Sequence, residues 1–381
     1  VAAEEIIRDR KILQREKFLA LNRNSYLLSK IAILFLISAI QSLLFVVVGD
    51  RVLGIQDMAF VHWALLFSTS CFANVLGLNV SASFNSAKVI YIVIPVLIIP
   101  QLLFSGIIVR FDKLHPWFSS QQGVPWIGNV MASRWAYEGL AVTQFVDNAY
   151  ERRFYALDQR MKTANWKKDL WVRELQHRVT NLRGVETDPA KLTQRGRDLE
   201  LLRNELQAEA GRLSGLVVPD LRMTTEGHVD ETTLNAVDGL LNDLTVHYRR
   251  MYKEAELAKE QLIARLTDGP EARERYFALL DAHRNEALAE FVTNKNDVNV
   301  IAVDRGALVR KSDPIYLEAQ GKGFFGAHFY APAKWLGSLR IPTFWANMAV
   351  LWLMSLAFAI ALRTEVFPWL VQRLSSRSGS S

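Results

Sequence analysis

Residues Val89 to Val109 constrain the chain more than any other stretch. The run is apolar and as long as a bilayer crossing, which takes about 20 residues. Inside lipid every backbone N–H and C=O must be satisfied within the segment, so the run is a helix. Pro95 and Pro100 sit inside it and each frees a carbonyl, which only neighbouring helices or water can then satisfy. It closes on Phe104-Ser105-Gly106, and the stretch from 110 to 146 is aromatic, broken by Pro and Gly, and too polar to span. Three more apolar runs follow the same rule: Ile31 to Val48, Ala59 to Ser83 and Phe344 to Leu362. The fold class is therefore mainly α, a polytopic membrane protein with four spans in this fragment.

The composition, 50% hydrophobic and 22% charged, averages two unlike kinds of segment. Residues 147–340 hold 30 Lys+Arg and 30 Asp+Glu, so the whole excess of +6 lies in the membrane part. A nucleic-acid partner needs a net basic face on the polar domain, and no such bias exists. Cys71 is the only cysteine, which excludes an intrachain disulfide and is compatible with a bacterial inner membrane. The chain starts at Val1 within a charged amphipathic pattern and shows no signal peptide, which reads as the C-terminal part of a longer polypeptide.

Short-flank charges set the orientation. Residues 1–30, Lys88 and the tail with Arg363, Arg373 and Arg377 form the richer side; Arg51, Arg110, Lys113 and Arg134 form the poorer. Both termini are then expected in the cytoplasm, with residues 110–341 extracytoplasmic. The expected division is an amphipathic helix over 1–28; a membrane region over 29–146 with spans near 31–48, 59–83 and 89–109; a helical domain over 147–296; a small β-containing segment over 297–341; a last span over 342–363; and a cytoplasmic tail over 364–381.

Within the polar domain, Leu234, Val237, Leu241, Leu244, Tyr248, Met251, Ala255, Ala258 and Leu262 alternate spacings of three and four, a heptad seam. Shorter seams run Leu192, Leu199, Leu202, Leu206, Leu213 and Phe154, Leu157, Met161, Ala164, Trp171, Leu175. They predict a helical-hairpin or coiled-coil domain whose stripes are its own core, or one of which docks an envelope partner. Alternation near Val298, Val300 and Ala302, then Leu308-Val309, Ile315-Tyr316-Leu317 and His328-Phe329-Tyr330, predicts a few short strands.

Catalytic signatures are lacking in the sequence. There is no Walker A motif, no Ser-centred nucleophile elbow, and no His or Cys spacing for a metal. Gly321 to Gly326 fits GxGxxG by letter but opens no helix after a strand. No catalytic residue is assigned, and no cofactor is expected in this fragment. Polar groups inside the apolar runs carry more information, because they are costly there and mark helix contacts or a pathway. Gln41, Asn74, Asn79 and Gln101 are these groups.

Phe104-Ser105-Gly106, then Ser133-Arg134-Trp135-Ala136-Tyr137-Glu138-Gly139-Leu140 and Gln144-Phe145, resemble in that order the G-type subfamily of ATP-binding cassette transporters and the wider ABC-2 permeases. Asp9-Arg10-Lys11-Ile12-Leu13-Gln14-Arg15-Glu16 and Asn24 to Lys30 are similar to the loop and helix before that subfamily's third span. The resemblance covers residues 1–146 and the last span. It implies a cytoplasmic coupling helix carrying Asp9, Arg10, Arg15 and Glu16. It also implies an outer gate at Phe104, Ser105 and Gly106 and a re-entrant segment over 110–146, in which Arg134 and Glu138, four residues apart, can pair on one helical face. It implies too that ATP and Mg are bound by a nucleotide-binding domain, upstream or on a separate chain, with a second permease half or a homodimer partner. Two other readings stay open: a membrane-anchored envelope interaction protein, and a non-transporting relative that passes ATPase strokes to an extracytoplasmic partner.

Overall fold

The computed structural model describes residues 2–16, 22–84, 86–115, 117, 121, 123–184, 188–223, 228–319 and 323–378. The chain divides into two units, Val1–Asn148 with Ala319–Ser381, and Ala149–Glu318.

The first unit is built around α3 (Ala59–Ser83), which packs against α1 (Ala2–Glu16), α2 (Arg23–Leu53), α6 (Ala132–Val146), α13 (Thr343–Arg363) and α14 (Val366–Ser378). Helices α2, α3 and α13 are long and apolar enough to cross a membrane. On α2 the buried residues Leu34, Ser38, Ser42 and Val46 recur every four residues, while Leu36, Leu44, Phe45 and Val52 are exposed. One narrow stripe, with two serines between Leu34 and Val46, is thus covered by neighbouring chain, while most large apolar side chains face outward, as in a lipid-embedded bundle. Three cross-helix bonds fix the register. Trp63 Nε1 donates to Ala39 O at 3.1 Å, Trp352 Nε1 to Ser68 Oγ at 3.0 Å, and Asn79 Nδ2 to Phe358 O at 2.9 Å.

Two expectations shift here. The helix expected over 1–28 is two elements: α1 ends at Glu16, and α2 begins at Arg23 with the Asn22 side chain accepting from Asn24 N at 3.0 Å. An asparagine cap satisfies the orphan donors of a new helix start, and that restart divides the pattern. The span expected over 89–109 gives α4 (Ala87–Leu103), 17 residues and apolar. At 1.5 Å per residue it is about 26 Å long, against a hydrocarbon thickness of about 30 Å. The helix stops at Phe104 because the chain turns there, with Gly106 at φ +84°. Beyond it lie a short 3₁₀ turn (Phe111–Lys113) and α5 (Trp126–Val130). Pro116 lies outside the described residues.

In the second unit, α7 (Glu151–Trp166), a π-helical turn (Lys167–Trp171) and α8 (Val172–Leu182) run on without a break against the 36-residue α10 (Glu231–Leu266) and α9 (Pro189–Ala210). The seam residues Leu234, Val237, Leu241, Leu244 and Tyr248 are buried together with Leu175, Val179, Leu202 and Leu206. The heptad stripe is thus the core of its own unit. Helices α11 (Pro270–His283) and α12 (Glu286–Thr293) follow.

The β-containing segment expected over 297–341 is split between the units. Antiparallel β1 (Ile301–Asp304) and β2 (Ala307–Arg310) belong to the second, β3 (Ala333–Leu336) and β4 (Leu339–Pro342) to the first. Arg305 and Gly306 both hold positive φ, as a two-residue hairpin turn requires. Ile315 and Tyr316 lie in a 3₁₀ turn and His328 to Tyr330 in irregular chain, where strands were expected.

Candidate functional site

Three constellations of the first unit carry the sequence candidates. The first is the seat of α1. Its Ala2 and Ile6 are buried with Leu78 of α3 and Leu362 of α13. Ser81 Oγ accepts from both Ile6 N and Ile7 N at 3.1 Å. Gly77 makes the close approach possible: a Cβ there would stand 3.0 Å from Ala2 Cβ and 3.2 Å from Ala3 N. Lys30 of α2 bridges Glu5 and Asp9, each at 2.7 Å, and that hydrogen bond holds the Asp9 carboxyl below its usual range. Arg15, in the last turn of α1, is exposed. The side chains of Arg10 and Glu16 lie outside the described residues.

The second is the turn after α4. Phe104 N–H caps the helix by donating to Pro100 O at 2.9 Å. Ser105 is buried, its Oγ donating to Leu102 O at 2.7 Å and accepting from Ile107 N at 3.3 Å. A Cβ on Gly106 would fall 2.7 Å from the ring of Phe111 and 2.9 Å from that of Phe329, so both the backbone and the space demand glycine. Gly106 therefore packs against two aromatic rings.

The third is a buried charge cluster on α6. Arg134 Nη2 stands 3.4 Å from Glu138 Oε2, both side chains almost wholly buried, so the i,i+4 pair is present. Lys334 of β3 joins it, with no exposed surface and its Nζ 2.5 Å from the same oxygen. Asn347 Nδ2 of α13 donates to that oxygen at 2.9 Å and to Trp135 O at 2.8 Å. The Arg134 guanidinium lies 3.8 Å over the Trp135 ring, and the Lys334 ammonium 4.7 Å from it. Two cations thus share one carboxylate. Burial pushes the Lys334 ammonium down to about 8. Burial works against the ionised Glu138 too, but the charges of Arg134 and Lys334 outweigh it and hold the carboxyl below its usual range. Among the described residues, Arg134 Nε and Nη1 and Glu138 Oε1 have no hydrogen-bond partner.

The polar residues of the apolar runs divide. Asn74 Nδ2 donates to Ser38 Oγ at 2.7 Å, Asn79 joins α3 to α13, and Gln101 Oε1 accepts from Ser133 N at 3.1 Å. Gln101 O also accepts from Ser133 Oγ, so α4 is tied to α6. These three are helix contacts, and Gln41 is exposed. The sequence reading missed Lys334 and Asn347. Neither lies near Glu138 in the chain, and nothing local to Ala333–Leu336 marks its lysine as buried.

Residues 2–145 match the family model of the ABC-2 type transporter, a segment that opens with α1 and ends in α6. That segment is similar to an ABC-2 membrane (permease) domain. With helices long enough to cross a bilayer, the chain is an integral membrane protein. No curated protein and no solved structure matches the chain.

Proposed function

We propose that this chain is the permease portion of an ATP-driven exporter that moves a substrate outward by alternating access. The observation that carries the reading is the ABC-2 family match over α1 to α6. ATP and Mg would be bound by a nucleotide-binding domain, upstream or on a separate chain, and a second permease half would complete the pathway. The seat of α1 supports a coupling role: an element held on α3 by Gly77 and Ser81 and on α2 by Lys30 passes a push to the spans instead of sliding over them. The turn at Phe104 to Gly106 is the proposed outer gate, supported by the ring contacts that Gly106 alone allows.

The arrangement requires α4 to cross the bilayer despite its length, by local thinning of the bilayer or with flanking residues completing the span. Both termini then lie in the cytoplasm, as the Lys/Arg distribution favours, and residues 149–318 lie outside. Cysteines placed singly at Arg15 and at Lys253, in a Cys71→Ser background, should react with an impermeant maleimide from opposite sides. Labelling from the same side would show that α4 does not cross and would end the exporter reading.

A further inference from the structure

The charge cluster holds one more cation than it needs. Arg134 alone would neutralise Glu138, and both are buried, so a second cation in the same place is a cost and not a requirement of charge balance. What Lys334 adds is a link. The chain leaves the first unit just after α6 and re-enters it at Ala319. Lys334, on the returning stretch, reaches back 196 positions to Glu138. Around this pair the returning stretch lies along the same helix. Phe324 stacks on Trp135 with centroids 6.0 Å apart, and Phe329 on Tyr137 at 6.3 Å. Tyr330 meets Tyr137 edge-on at 6.2 Å. Asn347 brings in α13 through the same carboxylate oxygen. Aromatic stacks of this kind tolerate sliding, whereas a buried ammonium at 2.5 Å from one oxygen does not.

We propose that Lys334 is a positioning residue: it clasps the returning chain to α6 and α13, fixing α6 where the re-entrant segment meets the last span. The clasp itself stands on contacts within one unit; only its consequence for ATPase coupling rests on the permease reading.

Two substitutions in the full chain separate position from charge. Lys334→Met leaves a neutral Arg134–Glu138 pair, so the protein should purify as a single species with an unchanged or raised thermal midpoint. Amide exchange over 132–146 and 323–336 should nevertheless speed up at least tenfold, with α3 and α10 unaffected. Glu138→Gln leaves two buried cations and should fail to accumulate. Bridging cysteines at Tyr137 and Tyr330 with a short bis-maleimide, in the Lys334→Met, Cys71→Ser background, should restore slow exchange. It should also restore the ATPase rate of the reconstituted complex. Exchange within twofold of wild type in Lys334→Met would overturn the clasp, as would a Lys334→Met protein that does not fold or a Glu138→Gln protein as stable as wild type. A wild-type complex without ATPase activity would instead end the permease reading and leave the exchange result standing.

Discussion

The two units differ in what they bury and what they expose. In the first, Ser38, Ser68, Asn79, Arg134, Glu138, Lys334 and Asn347 are buried beside apolar residues such as Leu65, Phe72 and Leu78, while Leu36, Leu44, Phe45 and Leu353 are exposed. In the second, Leu175, Val179, Leu202, Leu234, Val237 and Leu241 are inside, and most of the charge is outside. The difference follows from the solvent each surface meets. Water drives apolar area inward at about 25 cal/mol per Å². Lipid tails supply no such drive, so helices that share them associate through close packing and hydrogen bonds. Each unit also holds a buried Lys–Glu pair beside a tryptophan. Lys167 Nζ lies 2.7 Å from Glu209 Oε2 and 3.6 Å from the Trp171 ring, on the π-helical turn. Lys167 bridges the turn to α9, where Arg212, an exposed cation, also reaches Glu209 Oε2 at 3.5 Å, while Lys334 is a fully buried second cation linking distant parts of the chain. Buried charge therefore completes a bundle in one unit and ties chain crossings together in the other.

The sharpest way to break this contrast is to remove the same side chain from each unit. Leu241→Ala empties a fully buried site and should cost about 2–5 kcal/mol, read as faster amide exchange throughout α10. Leu44→Ala removes an exposed side chain of α2 and should leave the thermal midpoint in a bilayer nearly unchanged. If Leu44→Ala destabilised as much as Leu241→Ala, the outer face of α2 would be a protein interface and not a lipid one.

A second test uses pH on the water-facing unit. Burial at the start of α7, with repulsion from Asp158, raises the Glu151 carboxyl from 4.5 to about 7. Between those values the folded unit binds a proton that the unfolded chain has lost. Stability from this group is thus complete below about 4.5 and is lost as pH rises through about 7, by up to about 3 kcal/mol. Glu151→Gln should flatten the pH dependence of exchange in α7 over that window. A slope as steep in the variant would assign the dependence to other groups.

How much of this was legible in the sequence depends on how local the cause is. The spans near 31–48 and 59–83 and the last one could be read because bilayer thickness fixes a length. The seam from Leu234 to Tyr248 could be read because helical period and burial agree. Arg134 and Glu138 could be paired because four residues make one helical step. Lys334 could not, since its partner is set by how the chain returns after 149–318. The hydrogen-bonded ends of Asn74, Asn79 and Gln101 were equally hidden: a sequence shows that a polar group is costly in lipid, not which neighbour satisfies it. The early end of α4 was half visible, because Gly106 marked a turn but apolar Ile107 to Val109 disguised it.

Gly106 gives the third test, within the membrane unit. Its positive φ alone costs a side chain about 1–2 kcal/mol, and the rings of Phe111 and Phe329 leave no room for a Cβ. Gly106→Ala should lower the thermal midpoint modestly. As a gate variant it should also slow vanadate-sensitive ATPase turnover beyond what the stability loss explains. A lowered midpoint with unchanged turnover would leave the turn a structural feature without a gating role.

The smallest effect on stability, and the most direct on coupling, is expected at the end of α1. The two halves of this helix differ as the two units do. Glu5 and Asp9 are tied to Lys30 and hold the helix on the spans, while Arg15 is exposed. Asp9→Asn therefore weakens a contact inside the unit, and both stability and coupling should fall. Arg15 is exposed and makes no ion pair or side-chain hydrogen bond among the described residues, so the thermal midpoint of Arg15→Glu should match wild type. Any loss of ATPase coupling in that variant can then come only through a partner surface, and a several-fold loss is expected if the nucleotide-binding domain docks on this end. Wild-type coupling in Arg15→Glu, with Asp9→Asn impaired, would move the motor contact away from the end of α1. It would leave that end a basic anchor on anionic lipid, for which reversing one charge lowers membrane affinity without touching ATP hydrolysis.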